Sequence, residues 1–291
     1  MAVSTDVSKA QSRFQRITKQ LLRNRRAVVG GIFLLVIITM AIFAPYAATH
    51  DPVKQNIRNQ LKPPSREHIF GTDQFGRDIF SRVVYGARLS LRVGFLSISF
   101  ALVVGGLLGL VSGYFGGWMD MIIMRLIDIL LALPGFLLAL AIVAALGPGL
   151  ENVVMAIGVS YVPSFARMMR SSVLATRELD YVGAAQALGA SDSRIIFLHI
   201  LPNSISPIIV LTTLSMAGAI LSAAGLSFLG LGAQPPTPEW SSMIATARPF
   251  IRVSHWSVTI PGLAIFITVM CLNLVGDGLR DALDPRLKNL S

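Results

Sequence analysis

The chain contains six long segments without a single Asp, Glu, Lys or Arg. These segments are residues 27–49, 93–119, 129–150, 152–166, 195–238 and 253–276. Because roughly 20 apolar residues in a helix cross the hydrocarbon core of a bilayer, most of the segments are long enough to be membrane spans. Hydrophobic residues make up 53% of the chain and charged residues only 14%, which excludes a soluble domain of ordinary composition. We therefore predict an all-α integral membrane protein.

The six segments predict six transmembrane helices. The fourth segment is short, but it can extend to Arg170 if Arg167 and Arg170 reach the interface with their long side chains. The fifth segment is too long for one helix. We expect it to contain the end of a loop, one span over about 204–228 and an external segment.

The positive charge of the chain is concentrated at the N-terminus. Residues 1–26 contain one acid, Asp6, and seven basic residues, namely Lys9, Arg13, Arg16, Lys19, Arg23, Arg25 and Arg26. Cytoplasmic segments are enriched in Lys and Arg, so we place the N-terminus in the cytoplasm, and six spans return the C-terminus to the same side. The other basic residues mostly border apolar segments, where they can contact anionic lipid. Nucleic acid is therefore not an expected partner, despite the net charge of +10.

These spans divide the chain into successive parts. The parts are a basic cytoplasmic segment 1–26, a first transmembrane helix 27–49, an external loop 50–87, a five-helix core 88–280 and a cytoplasmic tail 281–291. Within the core we expect a cytoplasmic loop at 177–203 and an external loop at 229–255. Trp240 and Trp256 are placed in the outer interfacial belt, where tryptophan is enriched.

The end of the first external loop has an amphipathic pattern. Ile79, Val84 and Ala87 fall on one helical face, and Arg82 and Arg88 fall on the opposite face. We expect an amphipathic helix that lies at the outer interface and leads into the second span, with Arg82 on its polar face.

The loop at 177–203 is expected to be a helix, a sharp turn and a second helix. Residues 181–188 are rich in alanine, and Gly189 follows where a left-handed residue would end the helix. Ser191 is the expected N-cap of a second short helix that runs to Leu201. Pro202 is expected to stop that helix, because proline cannot continue one without strain.

The second span has small residues at steps of four. These residues are Ser97, Ala101, Gly105, Gly109 and Gly113. A ridge of small residues lets two helix backbones approach closely in lipid, where packing drives association. We interpret this ridge as a helix-packing surface.

The third span carries charged residues inside the predicted membrane region. Arg125 and Asp128 are three residues apart and can pair on one helical face. Asp128 lies about 12 Å beyond Asp120 at the helical rise. Ionisable groups at such depth usually face a bundle interior or an aqueous path. Two interpretations are open, a structural ion pair and a role in a translocation path.

No enzymatic motif is found in the sequence. It has no phosphate-binding loop, no nucleophile elbow and no HExxH zinc motif, and its four histidines are scattered. Its one cysteine, Cys271, cannot form an intramolecular disulfide. A secondary transporter or channel would need more ionisable residues in its spans than Arg125 and Asp128 supply. An intramembrane hydrolase would need a nucleophile and a base on facing spans, and the sequence offers no such pair.

Four ordered motifs resemble one family of transport proteins. The first motif resembles the cytoplasmic EAA loop of ABC-transporter permeases. It consists of Ala184-Ala185, Gly189 four residues on, and Leu201-Pro202 beyond it. Three further segments strengthen the resemblance, namely Gly71 to Asp78, Phe228 to Trp240 and Gly276 to Pro285. Together they resemble the C-type permease subunit of dipeptide and oligopeptide ABC importers. Two positions depart from the pattern, since Gly183 stands where the family usually has Glu and His199 where it usually has Ile.

The resemblance implies a type I ABC importer permease fold in the cytoplasmic membrane, without a catalytic, cofactor or metal site. It implies pairing with a second homologous permease, two cytoplasmic ATPase subunits and an external solute-binding protein. Relatives carry dipeptides, longer peptides, glutathione, nickel complexes or oligosaccharides. The residues expected to dock the ATPase are Tyr181, Gly183, Ala184, Ala185, Leu188, Gly189, Ala190, Leu201 and Pro202.

Overall fold

The computed structural model describes residues 18–283, and within them the chain is helical without a β-strand. The α-helices are α1 (Arg25–Ile42), α2 (Ala44–Ala47), α3 (Ile79–Phe115), α4 (Gly117–Leu131), α5 (Gly135–Leu146), α6 (Leu150–Arg177), α7 (Asp180–Ala187), α8 (Asp192–Ile195), α9 (Leu201–Phe228), α10 (Trp240–Ala247) and α11 (Trp256–Leu283). Short 3₁₀ turns lie at Ile57–Asn59 and Arg248–Phe250, and a π-helical segment at Ile196–Ile200. Most of the basic segment 1–26 and most of the tail 281–291 lie outside the described residues.

Within residues 18–283, four helices are long and apolar enough to cross a membrane. They are α1, α3, α11 and the continuous helix Asp192–Phe228 that ends with α9. Together α4 and α5 are also long and apolar enough, but the two helices are bent by 84° at the break between them. The third predicted span is therefore a broken helix. Helix α6 has 28 residues and carries charges near both ends, including Glu151 and Arg177. A total of six spans remains a prediction.

Helix α3 is longer than a bilayer requires. Its 37 residues extend about 55 Å at the helical rise. Asp78 caps its N-terminus and accepts a hydrogen bond from the Ser81 backbone N–H at 2.8 Å. Gly116, with φ of +65°, ends it. The expected amphipathic segment at Ile79 is thus the first part of one helix that continues into the span.

Helices α3 and α6 form the most extensive helix contact among the described residues. Ser97 Oγ on α3 donates a hydrogen bond to the Val154 carbonyl on α6 at 2.9 Å. A Cβ atom on Gly105 would lie 2.5 Å from the Val162 carbonyl oxygen of α6. Three other members of the predicted ridge are also buried, namely Ala101, Gly109 and Gly113. The small ridge therefore lies against α6, with backbones too close to admit larger side chains.

A buried cluster of charge, formed by Asp73, Arg77 and Arg82, organises the end of the molecule at which α3 begins. Asp73 Oδ2 accepts a hydrogen bond from Arg77 Nε at 2.7 Å and lies 3.5 Å from Arg82 Nε. Arg82 Nη1 also donates to the carbonyls of Pro52 at 2.8 Å and Pro236 at 3.2 Å. The cluster joins the loop after α2, the start of α3 and the segment between α9 and α10. The prediction that Arg82 lies on an exposed polar face was wrong, since only 3% of it is exposed.

Trp240 also differs from its expected position. It is 2% exposed, and its indole Nε1 donates a hydrogen bond to the Val83 carbonyl at 2.8 Å. Gly86 provides the space, because a Cβ there would lie 2.6 Å from the indole ring. Trp240 is therefore part of the packed interior, whereas Trp256 is partly exposed.

Candidate functional site

The loop between α6 and α9 contains a well-defined helix cap. The backbone N–H of Ala190 donates to the Ala185 carbonyl at 3.1 Å, and that of Gly189 donates to the Gln186 carbonyl at 2.9 Å. These two bonds form a Schellman motif, which requires a left-handed residue. Gly189 supplies it with φ of +76°. The sequence thus ends α7 where the glycine was expected to end it.

The second half of the loop differs from the prediction. Ser191 is the N-cap of α8, and its carbonyl accepts from the Ile195 backbone N–H at 3.0 Å. Helix α8 then continues through the π-helical segment Ile196–Ile200 into α9 without an interruption. Pro202 does not stop the helix. Proline has no backbone N–H, but the residues before Pro202 form a wider π turn, so no α-helical hydrogen bond is lost at this position. The loop is one short helix followed by the beginning of a long one.

Long-range contacts hold this loop against the bundle. Val182 of α7 and Ile195 of α8 are fully buried in the main hydrophobic core. Asp192 accepts a hydrogen bond from the Tyr114 hydroxyl at 2.6 Å, which joins the loop to the end of α3. Arg177, at the end of α6, donates to the Tyr114 carbonyl at 2.8 Å. Three helices therefore meet at one point beside the loop.

Helix α7 presents a small apolar surface to solvent. Leu188 is 88% exposed, and Tyr181 and Ala184 are exposed as well. Gly183 has no atom within 4 Å of the position that a Cβ would occupy. These exposed residues are small enough at Gly183 and Ala184 to leave the backbone of α7 accessible to close contact.

The nine predicted docking residues do not all share this face. Ala185 and Ala190 are partly buried and pack against the main core. Leu201 is also partly buried there, while Pro202 is exposed in the first turn of α9. The exposed members other than Pro202 lie together on α7 and its C-terminal cap, while Ala185, Ala190 and Leu201 pack the loop against the core.

A second cluster of polar residues lies between α4 and α6. Asp128 pairs with Arg167 at 2.7 Å, and Asp120 accepts two hydrogen bonds from Arg170 at 2.6 Å. These pairs line a cavity of about 360 Å³, together with Met121 and Met124. We call this group the α4–α6 charge cluster.

The charge cluster corrects one expectation. Arg125 and Asp128 were expected to pair on one face of a helix, but Asp128 takes its partner from α6. Arg125 is exposed on α4 and has no ion pair among the described residues. Sequence reasoning missed Arg167 and Arg170 as partners. The sequence does show two aspartates on one predicted helix, Asp120 and Asp128, and two arginines on the next, and opposite charges on successive helices could have indicated these pairs.

Comparison with known proteins supports one family assignment. Residues 105–289 match the family described as binding-protein-dependent transport system inner membrane component, and residues 12–64 match the N-terminal TM domain of oligopeptide transport permease C. The dipeptide transport system permease protein of Alkalihalophilus pseudofirmus is 52% identical over 96% of this chain and 92% of its own. The di/tripeptide transport system permease protein of Pseudomonas aeruginosa is 49% identical over 91% and 90%.

A further relative differs in its named substrate, and solved structures support the fold. The glutathione transport system permease protein of Pectobacterium atrosepticum is 46% identical over 93% of this chain and 90% of its own. A chain of the MetNI methionine ABC transporter in an inward-facing conformation aligns with a TM-score of 0.57 and 18% identity, covering 70% of this chain and 96% of that one. The chain therefore belongs to the family of binding-protein-dependent transport system inner membrane components, and it is a multi-pass membrane permease.

Proposed function

We propose that this chain is a permease subunit of an ATP-driven importer that moves peptides across the cytoplasmic membrane. The observation that carries the proposal is the exposed apolar face of α7, held to the bundle by buried contacts. The two relatives named for dipeptide and di/tripeptide transport favour peptides over the other cargoes of the family. In this proposal the chain has six spans, with α6 and the broken pair α4–α5 included, and both termini are cytoplasmic.

The proposed assembly contains four kinds of partner. A second homologous permease completes the pathway, two ATPase subunits bind on the cytoplasmic side, an external solute-binding protein delivers the peptide, and lipid surrounds the bundle. The chain has no phosphate-binding loop of its own, so ATP hydrolysis is assigned to the ATPase subunits.

In the proposed mechanism, α7 sits in a groove of an ATPase subunit. Closure of the two ATPase subunits displaces α7, and the displacement passes to α6 and α9, which flank the loop. The Tyr114–Asp192 hydrogen bond passes part of it to α3. Because packed helices move as rigid bodies, a small displacement at α7 can tilt these helices and switch access between the two sides of the membrane.

Replacing Gly189 with valine tests this coupling. Its φ of +76° is costly for a β-branched residue, by about 1–2 kcal/mol, while the surrounding space is open. We expect the Schellman cap to be lost, with normal amounts of folded complex but peptide uptake reduced about tenfold relative to ATP hydrolysis. Both rates are measured in proteoliposomes containing the complete complex.

Gly147→Val is the matched control for backbone strain. Gly147 has φ of +93° and also has no atom within 4 Å of a Cβ position, but it lies between α5 and α6, away from α7. We expect this variant to keep the ratio of uptake to ATP hydrolysis. Equal ratios in the Gly189 variant and the wild type would rule out the proposed role of α7.

The α4–α6 charge cluster is proposed to face the translocation path. The side chains of Asp128 and Arg167 are 53% and 56% exposed on membrane helices. A charged side chain facing lipid costs several kcal/mol, so an exposed ion pair at this position is best accommodated beside water or polar cargo. A peptide carries a charge at each end, and this pair offers one group of each sign.

Charge exchange tests the pathway proposal. Asp128→Asn is expected to reduce peptide uptake several-fold while changing the unfolding free energy by no more than about 1 kcal/mol, because the pair is exposed. The double variant Asp128→Arg with Arg167→Asp restores a pair with the opposite orientation. If the cluster contacts cargo, the double variant stays impaired in uptake. A purely structural pair predicts that the double variant recovers full activity.

A further inference from the structure

A pocket beside the start of α3 brings together three side chains that can ligate a metal ion. His50, His68 and Asp78 each offer one ligand atom, and these atoms lie within 4.8 Å of one another. They line a cavity of about 290 Å³ that opens at the surface. His68 and Asp78 are buried, while His50 is exposed at the mouth. The proposed peptide transport makes no use of this group.

The geometry around Asp78 leaves one carboxylate oxygen for an ion. Its Oδ2 accepts hydrogen bonds from the Ser81 backbone N–H and hydroxyl, at 2.8 and 2.7 Å. Its Oδ1 faces the two imidazoles, 2.9 Å from His68 Nδ1 and 3.8 Å from His50 Nδ1. Ligand atoms about 2.0–2.2 Å from a tetrahedral zinc ion are roughly 3.3 Å apart. Shifts of less than about 1 Å would bring these three atoms to such distances.

We propose that this pocket binds a divalent transition-metal ion of the zinc class through His50 Nδ1, His68 Nδ1 and Asp78 Oδ1. Two imidazole nitrogens and one carboxylate suit zinc and its neighbours, whereas calcium and magnesium prefer an all-oxygen shell. A fourth position remains open toward the cavity for water. Three protein ligands and an exchangeable fourth are typical of zinc sites that are not fully closed.

The proton on the His68 ring can be accommodated when the ion binds. In the present arrangement His68 Nδ1 lies 2.9 Å from Asp78 Oδ1 and shares a proton with it. An ion that binds both atoms takes the place of this proton. The imidazole then carries its proton on Nε2. Nε2 lies 3.4 Å from the side-chain amide of Asn59. Rotating that amide by 180° presents its oxygen as an acceptor. The rotation also requires exposed Lys62, whose ammonium now donates to that oxygen at 2.7 Å, to take water as its partner instead. A histidine ligand whose other nitrogen donates to a neighbouring oxygen is the usual arrangement at metal sites.

The charge of the pocket also favours a cation. Asp51 and Glu67 line the same cavity, and Lys54 is the one lysine or arginine among its lining groups. A bound ion would join two points of the loop after α2 to the N-cap of α3. It would therefore brace the end of the molecule at which α3 begins, next to the Asp73 cluster.

The experiment titrates the purified full-length chain in detergent with Co²⁺, followed by its visible absorption, and with Zn²⁺ by calorimetry. We expect one ion per chain and a higher unfolding temperature in the presence of Zn²⁺. His50→Ala removes an exposed ligand without disturbing the cap of α3. We expect it to weaken metal binding by about 100-fold or more, because loss of a residue that only supports a ligand already weakens binding by about 10- to 100-fold. His255→Ala is the control, because His255 is exposed and lies outside the pocket.

The outcomes separate the proposal from its rivals and from the transport mechanism. Stoichiometric binding that is lost in His50→Ala and retained in His255→Ala supports the site. Absence of stoichiometric binding, or equal affinity in wild type and His50→Ala, overturns it. Peptide uptake is not the readout, so either result leaves the proposed function to be judged by its own experiments.

Discussion

Gly109→Ala is expected to destabilise the protein by about 3 kcal/mol, the upper end of the range for overpacking. A Cβ at Gly109 would collide with the Ala166 carbonyl oxygen and lie 2.8 Å from Met169 Cβ, both on α6. A collision with a backbone atom cannot be relieved by a change of rotamer, so α3 and α6 must separate. Because these two helices form the main packing interface, we expect a lower unfolding temperature in detergent and less folded protein in the membrane.

Gly106→Ala is the matched control for the same chemical change in the same helix. A Cβ there would meet only the flexible end of Met169, at 3.7 Å, which is ordinary contact. Alanine is favoured over glycine in a helix interior by about 1 kcal/mol, so this variant is expected to be as stable as the wild type or more stable. Similar unfolding temperatures for the two alanine variants would show that the α3–α6 distance is not set by the small ridge.

Asp73→Asn is expected to cost 3–5 kcal/mol, the scale for breaking a buried ion pair by removing one partner. Asp73 provides the negative charge beside Arg77 and Arg82, and all three side chains are at least nine-tenths buried. The amide would keep the shape of the carboxylate but leave two guanidinium groups without a counter-charge. It would also direct an N–H group toward Arg77 Nε or toward the backbone donors that now bind Asp73. We expect loss of folded protein, measured by thermal unfolding and by protease resistance of the loop after α2.

Arg88→Ala controls for the loss of a charged residue on the same helix. Arg88 is exposed on α3 and has no ion pair among the described residues. Its removal is expected to change stability by no more than about 0.5 kcal/mol, as is usual for surface positions. A stable Asp73→Asn variant would contradict the view that Asp73, Arg77 and Arg82 hold the loop after α2 against the start of α3.

Features encoded by local sequence were predicted well. Gly189 could be placed because a helix end that needs a left-handed residue selects glycine at a fixed position in the chain. The ridge from Ser97 to Gly113 was visible because small residues recur at the spacing of one helical face. The existence of apolar helices followed from uncharged segments of sufficient length. None of these inferences needs knowledge of a distant residue.

Features that depend on distant residues were predicted poorly. Arg82 and Trp240 were placed at polar or interfacial positions, but each is buried by segments far away in the chain. Asp128 was given a partner three residues away, whereas its actual partner is Arg167 on another helix. The His50, His68 and Asp78 pocket was not suspected, because its members are separated by 18 and 10 residues in an irregular loop.

Hydropathy and residue spacing along the chain were enough to predict a helical membrane protein, the end of α7 and the face of α3 that another helix can approach closely. Those properties follow from hydropathy and backbone sterics, which act over a few residues. The pairing of the charges, the burial of the polar groups and the exposure of one face of α7 became known only from the packed helices. Those outcomes depend on which distant segments cover each side chain, since burial and electrostatic pairing are properties of space and not of chain position.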